Sequence, residues 1–362
     1  MYMAAGTEYE GFARSYARSG TDWSMIQQFN ESSSYFGWSL DLSHDGSTLA
    51  IGSYGAVYIY EFSNITSLYE SLHTIYGPDA EELSVSGDGM VVGVESGGFF
   101  ERIGDGFQQR GDISGYGYYS GIALNYDGSI VIVGEAYWDS DTAFNIGRAG
   151  VFQWRDDNED GSMEWIQMGS DITGDAAYDN LGGVGCVSIT HDGLTVSVGA
   201  EGYNRDGLSA RGLVRVYNHD STSDTWQQSG IDLVGDNTGD YFSTTSLSSD
   251  GAYLAVGAYV GDYVRLFAKN GDNYEAVGDT IMGELERGEF GRYVDLSADA
   301  SALVVVDNRF DRLKGKVYLY DTFSSSLVSM NPTASSSLHP PSSSMSKAKS
   351  SLVCMLLSLM FL

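Results

Sequence analysis

The sequence predicts an all-β fold, a β-propeller of four-stranded antiparallel blades, followed by a disordered C-terminal tail. A unit of two apolar strands joined by an Asp-Gly turn recurs along the chain. The composition suits strands and tight turns, with 46 Gly and 25 Tyr but only 4 Pro in 362 residues. No extended stretch has the periodicity of an amphipathic helix. Sheets repeated around a ring account for these observations together.

The repeats align on their turns. The turn residues are Gly46, Gly89, Gly128, Gly193 and Gly251, with Ala300 in the sixth place. Asp-Gly between two alternating apolar segments is a strong hairpin signal, because glycine adopts positive φ without a steric penalty. After a loop of variable length, each complete unit continues into an alternating aromatic strand such as Gly315 to Tyr320. Six such hairpins predict blades arranged radially.

The two ends of the chain complete the count of blades. Residues 1–35 predict the second, third and fourth strands of a partial blade. The repeats begin near residues 36, 80, 119, 183, 243 and 290, and the last one ends near residue 323 after its third strand. Pairing of strands from both ends would close the ring and remove an exposed sheet edge. We therefore predict a propeller over residues 1–323 with seven blades, with six blades as the alternative.

The repeat unit resembles two known families. Its pattern S-x-D-G-x-x-x-A-x-G followed by G-x-V-x-V-Y resembles a divergent WD-type β-propeller repeat. Phe36-Gly37 and Phe290-Gly291 before first strands, with Val256-Gly257-Ala258 at the end of a second strand, resemble the FG-GAP repeats of integrins. Both resemblances imply a propeller, and the second implies an extracellular protein.

The C-terminal 39 residues differ in composition from the repeats. Residues 324–351 are rich in Ser and Pro and predict a disordered stalk, because they cannot bury a core. Residues 352–362 are apolar but too few for a membrane-spanning helix, which needs about 20 residues. Small residues, a polar spacer and a terminal apolar run together resemble a GPI-attachment signal, with Ser342 as the candidate attachment site. The alternatives are an unprocessed terminus inserted in a membrane and a gene-prediction artefact.

This tail predicts where the protein is located. A processed GPI signal would place the chain at the cell surface, anchored to the membrane through the tail alone; a secreted protein is also compatible, and a cytoplasmic location is the alternative. The sequons at Asn30 and Asn64 predict N-glycosylation in such a compartment. We expect a monomer.

The charge restricts the partners. Acidic residues number 49 and Lys plus Arg 19, giving a formal net charge of −30. This balance excludes nucleic acid as a partner, because phosphate binding depends on clustered Lys and Arg. We expect a protein or carbohydrate ligand. Two Cys cannot form a disulfide scaffold, and the five His lack the spacing of a transition-metal site.

One acidic segment is a candidate calcium loop. Asp156, Asn158 and Asp160 stand at alternate positions before Gly161, and Glu164 follows. Ca²⁺ binds several oxygen ligands, and this spacing can bring three side chains around one point. The alternative is a solvated acidic turn between two strands, since these residues are also common turn formers. No other cofactor is predicted.

Two long loops after second strands are candidates for ligand binding. Their candidate residues are Tyr137, Trp138, Asp139, Asp141, Tyr203, Asn204 and Asp206. Aromatic side chains beside carboxylates suit contacts with protein or carbohydrate, because they are rigid and amphipathic. Packing between blades is the alternative role for the aromatic residues.

No catalytic motif is present, and we predict a non-enzymatic binding module at the cell surface or in secretions. The first alternative is a propeller enzyme, a hydrolase or lyase, that uses carboxylates in the central channel. The first-strand residues Asp41 and Asp295 are the positions that test this alternative. The second alternative is an intracellular scaffold.

Overall fold

The fold is a ring of seven antiparallel blades, each a four-stranded sheet, one of which carries a short fifth strand. It was obtained as a computed structural model that describes residues 2–7, 11–19, 22–96, 98–116, 121–158, 160–205, 207–285, 288–309, 315–322, 334–336 and 357–358. All regular structure in these residues is β-strand. The prediction of an all-β propeller is confirmed, and the number of blades is seven.

The blades follow one another along the chain. Blade 1 contains β1 (Tyr2–Thr7), β2 (Phe12–Ser19) and β3 (Asp22–Asn30), and blade 2 contains β4 (Leu40–Leu42), β5 (Thr48–Ser53), β6 (Ala56–Ser63) and β7 (Leu68–Tyr76). Blade 3 contains β8 (Leu83–Val85), β9 (Val91–Val94), β10 (Gly98–Ile103) and β11 (Gly106–Gly111). Blade 4 contains β12 (Gly121–Leu124), β13 (Ile130–Glu135), β14 (Arg148–Arg155) and β15 (Glu164–Gln167), with a short β16 (Ile172–Thr173) also paired to β14.

The remaining blades repeat this order. Blade 5 contains β17 (Val187–Ile189), β18 (Thr195–Ala200), β19 (Leu213–Asp220) and β20 (Thr225–Val234), and blade 6 contains β21 (Phe242–Leu247), β22 (Tyr253–Ala258), β23 (Tyr263–Asn270) and β24 (Asn273–Met282). Blade 7 contains β25 (Phe290–Leu296), β26 (Ala302–Asp307), β27 (Lys316–Asp321) and β28 (Ala334–Ser336), and β29 (Leu357–Ser358) joins blade 1. In blades 2 to 7 the first strand lies innermost.

The predicted hairpin turns have a common hydrogen-bond pattern. In blade 2 the Ser43 hydroxyl donates to Asp45 (2.8 Å), and Asp45 accepts the N–H of Ser47 (2.8 Å). The N–H of Thr48 donates to the Ser43 oxygen at 2.9 Å. The hydroxyl-to-aspartate bond recurs for Ser86 with Asp88, Thr190 with Asp192, Ser248 with Asp250 and Ser297 with Asp299. In the sixth turn Ala300 has a φ of 55°, in the region that glycine occupies elsewhere.

The Gly-containing ends of the second strands lie against the next blade. A Cβ added at Gly199 would overlap the carbonyl oxygen of Ser243 and lie 2.8 Å from its carbonyl carbon. A Cβ at Gly257 would likewise overlap the carbonyl oxygen of Gly291. The Phe-Gly and Val-Gly-Ala segments at residues 290 and 256 are therefore two sides of one contact between blades 6 and 7. This contact gives a packing reason for the FG-GAP-like pattern.

Aromatic side chains fill the space between neighbouring blades. Phe29 of blade 1 lies 4.8 Å from the Tyr60 ring of blade 2, and Phe99 of blade 3 lies 4.5 Å from the Trp165 ring of blade 4. Fully burying one such side chain stabilises the fold by roughly 1.5–3 kcal/mol. The abundant aromatic residues therefore serve largely to join the blades.

Strands from both ends of the chain pair in the closing blades. β29 pairs antiparallel with β1, placing Leu357 opposite Met3 and Ser358 opposite Tyr2. β28 pairs with β27, so blade 7 has a fourth strand that the sequence did not predict. The prediction placed the propeller strands within residues 1–323, whereas β29 lies in residues 352–362, the segment that resembles an attachment signal. Ser342, the predicted lipid-attachment residue, lies outside the described residues.

Removal of residues 324–362 is expected to destabilise the propeller. The truncation leaves the edges of β1 and β27 unpaired, which we expect to cost about 2 kcal/mol or more, at roughly 1 kcal/mol for each hydrogen bond. Thermal unfolding of the full chain, of 1–323 and of 1–336 measures this cost. The 1–336 variant keeps β28 and should unfold between the other two; equal melting temperatures for all three would show that β28 and β29 add no stability.

Candidate functional site

A channel runs along the ring axis between the inner strands. The cavity within it measures about 200 Å³ and is lined by residues of β4, β8, β12, β17, β21 and β25. These strands begin at the face where the second strands end, which we call the upper face. The Asp-Gly turns lie at the opposite, lower face. Upper and lower mouths therefore carry different parts of each repeat.

Asp41 and Asp295 both line this channel and are buried, with exposures of 4% and 6%. Burial raises the pKa of Asp41 to about 8, and the Asp295 carboxylate adds repulsion. Asp41 accepts backbone hydrogen bonds from Leu42 and, across the blade boundary, from Val85 (2.7 Å). Asp295 accepts from the Ser246 hydroxyl at 3.0 Å. The two carboxylates converge as the enzyme alternative requires, but their bonds hold neighbouring blades together.

Three rings meet at the lower mouth. His44, Tyr126 and His191 precede the Asp-Gly turns of blades 2, 4 and 5. The imidazole rings of His44 and His191 lie 4.6 Å apart, and the Tyr126 ring lies 5.1 Å from His191. Blades 2 and 5 are three places apart in a ring of seven, so these imidazoles meet across the axis. They narrow the lower end of the channel.

Because of this His pair, the folded state should lose stability as the pH is lowered. Burial, reinforced by the neighbouring His44, lowers the pKa of His191 below its ordinary 6.5, while Asp192 and Asp250 oppose the shift. The unfolded chain therefore takes up a proton at His191 that the folded chain does not, and stability is lost as the pH falls below about 6.5. Melting curves between pH 8 and 5 should show a smaller decrease for His191→Gln than for wild type. The control His73→Gln, on the outer strand β7, should keep the wild-type slope; an unchanged slope in His191→Gln would contradict the prediction.

A second cavity of about 130 Å³ lies at the upper mouth. Its lining residues are Glu81, Glu95, Ala136, Tyr137, Gly183, Val184, Glu201 and Arg292. They come from blades 3, 4, 5 and 7, at the points where first strands begin and second strands end. Glu82 lines the channel below this cavity and interacts electrostatically with Glu95, Glu81 and Arg292 of the cavity lining. Three carboxylates and one guanidinium therefore line the upper cavity, and a fourth carboxyl group, that of Glu82, lies in the channel below.

Glu82 has the electrostatic character of a proton donor. Burial raises the pKa of Glu82 to about 8, and repulsion from Glu95 adds to the shift. The backbone N–H of Gly185, 3.4 Å from the carboxylate, and the charge of Arg292 oppose it. At neutral pH the carboxyl group is therefore mostly protonated, as a general acid must be.

Arg292 remains charged in this mouth. Burial disfavours the guanidinium, yet Tyr293, Tyr259 and Glu201 raise the pKa of Arg292. Its guanidinium carbon lies 4.3 Å from the centre of the Tyr259 ring, and the Tyr259 hydroxyl donates to Glu201 at 3.1 Å. This set holds the cation and one carboxylate side by side. It can stabilise a developing negative charge next to a proton acceptor.

Cys186 lies beneath the same opening but is not a nucleophile. The thiol is buried and donates weakly to the carbonyl oxygen of Val184 at 3.5 Å. Burial, with the nearby Glu201, raises the pKa of the Cys186 thiol to about 12. The reactive thiolate is therefore scarce at neutral pH.

The first predicted ligand loop borders the upper cavity. Tyr137 lines the cavity directly. Trp138 packs beneath the Arg148 guanidinium, which lies 5.0 Å from its ring. Asp139 accepts a backbone hydrogen bond within its own loop (2.7 Å), and Asp141 is exposed. Of these four candidates, the structure brings Tyr137 to the cavity and gives Asp139 a role within the loop.

The second predicted ligand loop is more structural in character. Tyr203 is buried, with the Arg205 guanidinium 5.3 Å from its ring. Asn204 accepts a hydrogen bond from the backbone of Ala210. Asp206 lies outside the described residues. Packing, the alternative role named for the aromatic candidates, describes Tyr203.

The predicted calcium ligands lie at the lower face, between β14 and β15. The Asp156 carboxylate accepts hydrogen bonds from the backbone N–H groups of Asn158 (3.2 Å), Asp160 (3.3 Å) and Gly161 (2.6 Å). The Asn158 amide donates to Glu164 at 3.4 Å. Within the described part of the chain, no three or more His, Cys, Asp or Glu side chains form a group that could hold a metal ion. The contacts are those of an acidic turn, and calcium binding stays a prediction.

The predicted glycosylation sites are accessible. Asn30 ends β3 and Asn64 lies in the turn after β6, and both are exposed. In the residues that the structure describes, no helix is long and apolar enough to cross a bilayer.

Apart from Tyr137, the sequence did not predict the residues of the upper cavity. Glu95 and Glu201 each follow the Gly-containing end of a second strand, and Glu135 is the last residue of another such strand. That recurrence was a usable signal for part of the set, although Glu135 pairs instead with Arg148 at 2.5 Å. Arg292 has no counterpart in the other repeats, and no sequence pattern singled it out.

Comparison with solved structures finds many similar propellers. A protein from Lactobacillus plantarum has a TM-score of 0.63 at 16% identity, with 92% of this chain and 95% of that one covered. A protein from Bacteroides uniformis named "putative 6-phosphogluconolactonase" has a TM-score of 0.63 at 16% identity, with coverages of 92% and 94%. The Cps50 (Swd1) β-propeller domain of Myceliophteria thermophila has a TM-score of 0.58 at 10% identity, with coverages of 89% and 98%. Comparisons with protein families and with curated proteins find no match.

These similarities place the chain in the β-propeller class and correct one prediction. The non-enzymatic assignment is contradicted, because a structure that shares this fold over most of both chains bears the name of an enzyme. At these identities the likeness itself concerns the fold. Any activity of this chain must therefore be argued from its own residues.

Proposed function

We propose that this chain is a hydrolase that cleaves an ester or lactone of a small polar substrate at the upper mouth of the channel. The observation that carries the proposal is that Arg292 and Glu201 line the upper cavity while Glu82, in the channel lining below, lies within electrostatic reach of Arg292. Perturbed ionisable groups in a concave site are typical of active sites. The name of the Bacteroides uniformis structure, a lactone-opening enzyme, is consistent with this class of reaction.

Each of these groups has a role in the proposed reaction. Water attacks the carbonyl carbon while Glu201 accepts its proton, and Arg292 stabilises the negative charge that forms on the carbonyl oxygen. The bond to the leaving oxygen then breaks as protonated Glu82 donates its proton to that oxygen. The products are an acid and an alcohol, which remain one molecule when the substrate is a lactone. Proton exchange with solvent restores both Glu residues.

The channel aspartates are not assigned to the chemistry. The Asp41 oxygens accept two backbone N–H groups, one of them from the neighbouring blade. Such bonds fix the strands and leave little capacity for a substrate. Glu82 accepts a single long backbone bond and lies nearer the opening, so it is the better donor.

The proposal is tested with a panel of esters and lactones of sugars and hydroxy acids. Hydrolysis of each compound is followed by measuring the protons that the reaction releases. We expect wild type to hydrolyse at least one of them and Arg292→Gln to lose about 10²-fold in kcat, because one charge-stabilising group is removed. The control Arg102→Gln removes a guanidinium from the outer part of blade 3 and should retain full activity. Absence of hydrolysis across the panel by folded wild type would overturn the proposal.

A further inference from the structure

Two upper-face loops form one layer beside the active-site cavity. Residues 136–147 and 174–185 run side by side, joined by backbone hydrogen bonds. The N–H of Tyr178 donates to the carbonyl of Phe144 (2.9 Å), and that of Asn180 to the carbonyl of Asn145 (3.0 Å). Gly147 and Leu181 continue the contact as a parallel bridge. The two loops therefore form a single surface.

This surface carries three exposed aromatic side chains. Tyr137 is 69% exposed, Phe144 is 67% exposed and Tyr178 is 57% exposed. Most aromatic residues between the blades are buried, so packing does not explain these three. Exposed aromatic groups collected at one place mark a binding surface. We call this surface the aromatic platform.

The backbone of the platform is constrained. Asn145, Tyr178 and Asn180 have φ values of 47°, 66° and 53°. L-residues avoid this region, and for a bulky Tyr it is unusual. Backbone strain of this kind is found at ligand-binding sites, where the surrounding structure holds it. The platform presents its rings from a fixed backbone.

The platform adjoins the cavity on two sides. Tyr137 lines the cavity. A Cβ added at Gly202 would overlap the carbonyl oxygen of Tyr178, and the preceding residue, Glu201, lines the cavity as well. A ligand that lies over the platform can therefore reach Glu201 with another part of its structure.

We propose that the aromatic platform binds a neutral carbohydrate ring, so that the substrate of the proposed hydrolase is a sugar-containing ester or lactone. The assignment of substrate rests on the proposed function, whereas sugar binding by the platform does not. The apolar C–H face of a sugar stacks on an aromatic ring, and its hydroxyl groups bond to carboxylates such as Glu81 and Glu201. An anionic sugar is disfavoured by the carboxylates at the opening. The concave cavity beside the rings suits a small molecule better than a flat protein surface.

Titration calorimetry with the full chain tests the platform. The probes are neutral pentasaccharides, namely the β-1,4-, β-1,3- and α-1,4-linked glucose oligomers and the β-1,4-linked N-acetylglucosamine oligomer. We expect at least one to bind and its affinity to fall about tenfold in each of Tyr137→Ala, Phe144→Ala and Tyr178→Asn. Asn is chosen at position 178 because it tolerates positive φ. Tyr76→Ala, an exposed ring at the end of β7, is the control and should bind as wild type does.

The outcomes separate this inference from the proposed function. Binding that depends on the platform but occurs without hydrolysis of any ester supports the platform and rejects the enzyme. If simple esters are hydrolysed but no pentasaccharide binds, the platform proposal alone is overturned. The same holds if a pentasaccharide binds but its affinity is unchanged in all three platform variants. In a sugar ester that is cleaved, the platform variants should raise KM about tenfold and leave kcat unchanged.

Discussion

Replacing Glu82 by Gln is expected to lower kcat for ester or lactone hydrolysis by about 10²- to 10⁴-fold, the usual contribution of a general acid. The amide has nearly the shape of the carboxyl group but cannot transfer a proton to the leaving oxygen. Gln also keeps the acceptor for the Gly185 N–H. The loss should therefore appear in kcat, while KM and the melting temperature change little.

The pH profile gives an independent readout. Because the pKa of Glu82 is raised to about 8, wild-type kcat/KM should decrease as the pH rises through that value and the proton is lost. The Glu82→Gln variant should have no such alkaline limb. Glu101→Gln, at an exposed position of β10, is the matched control and should retain both rate and profile. An alkaline limb that persists in Glu82→Gln would assign the proton to another group.

Substitution of Gly199 by Ala is expected to be the most destabilising single methyl addition we describe. The new Cβ would overlap the Ser243 carbonyl oxygen, which belongs to the backbone of the next blade. Such overpacking can be relieved only if the backbone moves, and we expect it to lower the free energy of unfolding by about 3 kcal/mol. This loss corresponds to a decrease in melting temperature of about 5 °C or more. Thermal unfolding followed by circular dichroism measures the effect.

Gly106→Ala is the matched control for this substitution. At Gly106 the nearest atom to an added Cβ is Nδ1 of His73 at 3.4 Å, an ordinary contact with a side chain. We expect a change within about 0.5 kcal/mol, as for most substitutions that create no clash. If Gly199→Ala and Gly106→Ala unfolded at the same temperature, the contact between blades 5 and 6 would be less tight than the structure describes.

The repeated features of the fold could be predicted from the sequence. The turn at Gly46 and its counterparts appear six times in similar form, and each copy supports the others. Three N-terminal segments matched the strands β1, β2 and β3, which fixed the number of blades at seven. The pairing of β28 with β27 could not be predicted, because Ala334–Ser336 lies in a Ser-rich stretch without alternating apolar residues.

The candidate site was largely unpredictable, because most of its residues are not repeated along the chain. Neither Glu82 nor Arg292 has a counterpart in the other repeats. Their proximity depends on how blades 3 and 7 face each other across the axis. Burial raises the pKa of Glu82, whereas burial opposes the raised pKa of Arg292, which comes from the neighbouring Tyr293, Tyr259 and Glu201. No local sequence pattern encodes either environment. Tyr137 was found because it is an aromatic residue in an unusually long loop, a signal that survives in a single sequence. Asp41 was found as a channel carboxylate, although its bonds to Leu42 and Val85 give it a structural role.

The rings of His44 and His191 restrict the passage of solutes at the lower mouth of the channel. With these imidazoles 4.6 Å apart across the axis, the rings occupy part of the lower end of the channel. A molecule too large to pass between the rings must enter and leave by the upper mouth, past Glu82, so departing product and arriving substrate share one opening. Product bound at this opening excludes substrate, so product accumulated in solution should act as a competitive inhibitor of the proposed hydrolase.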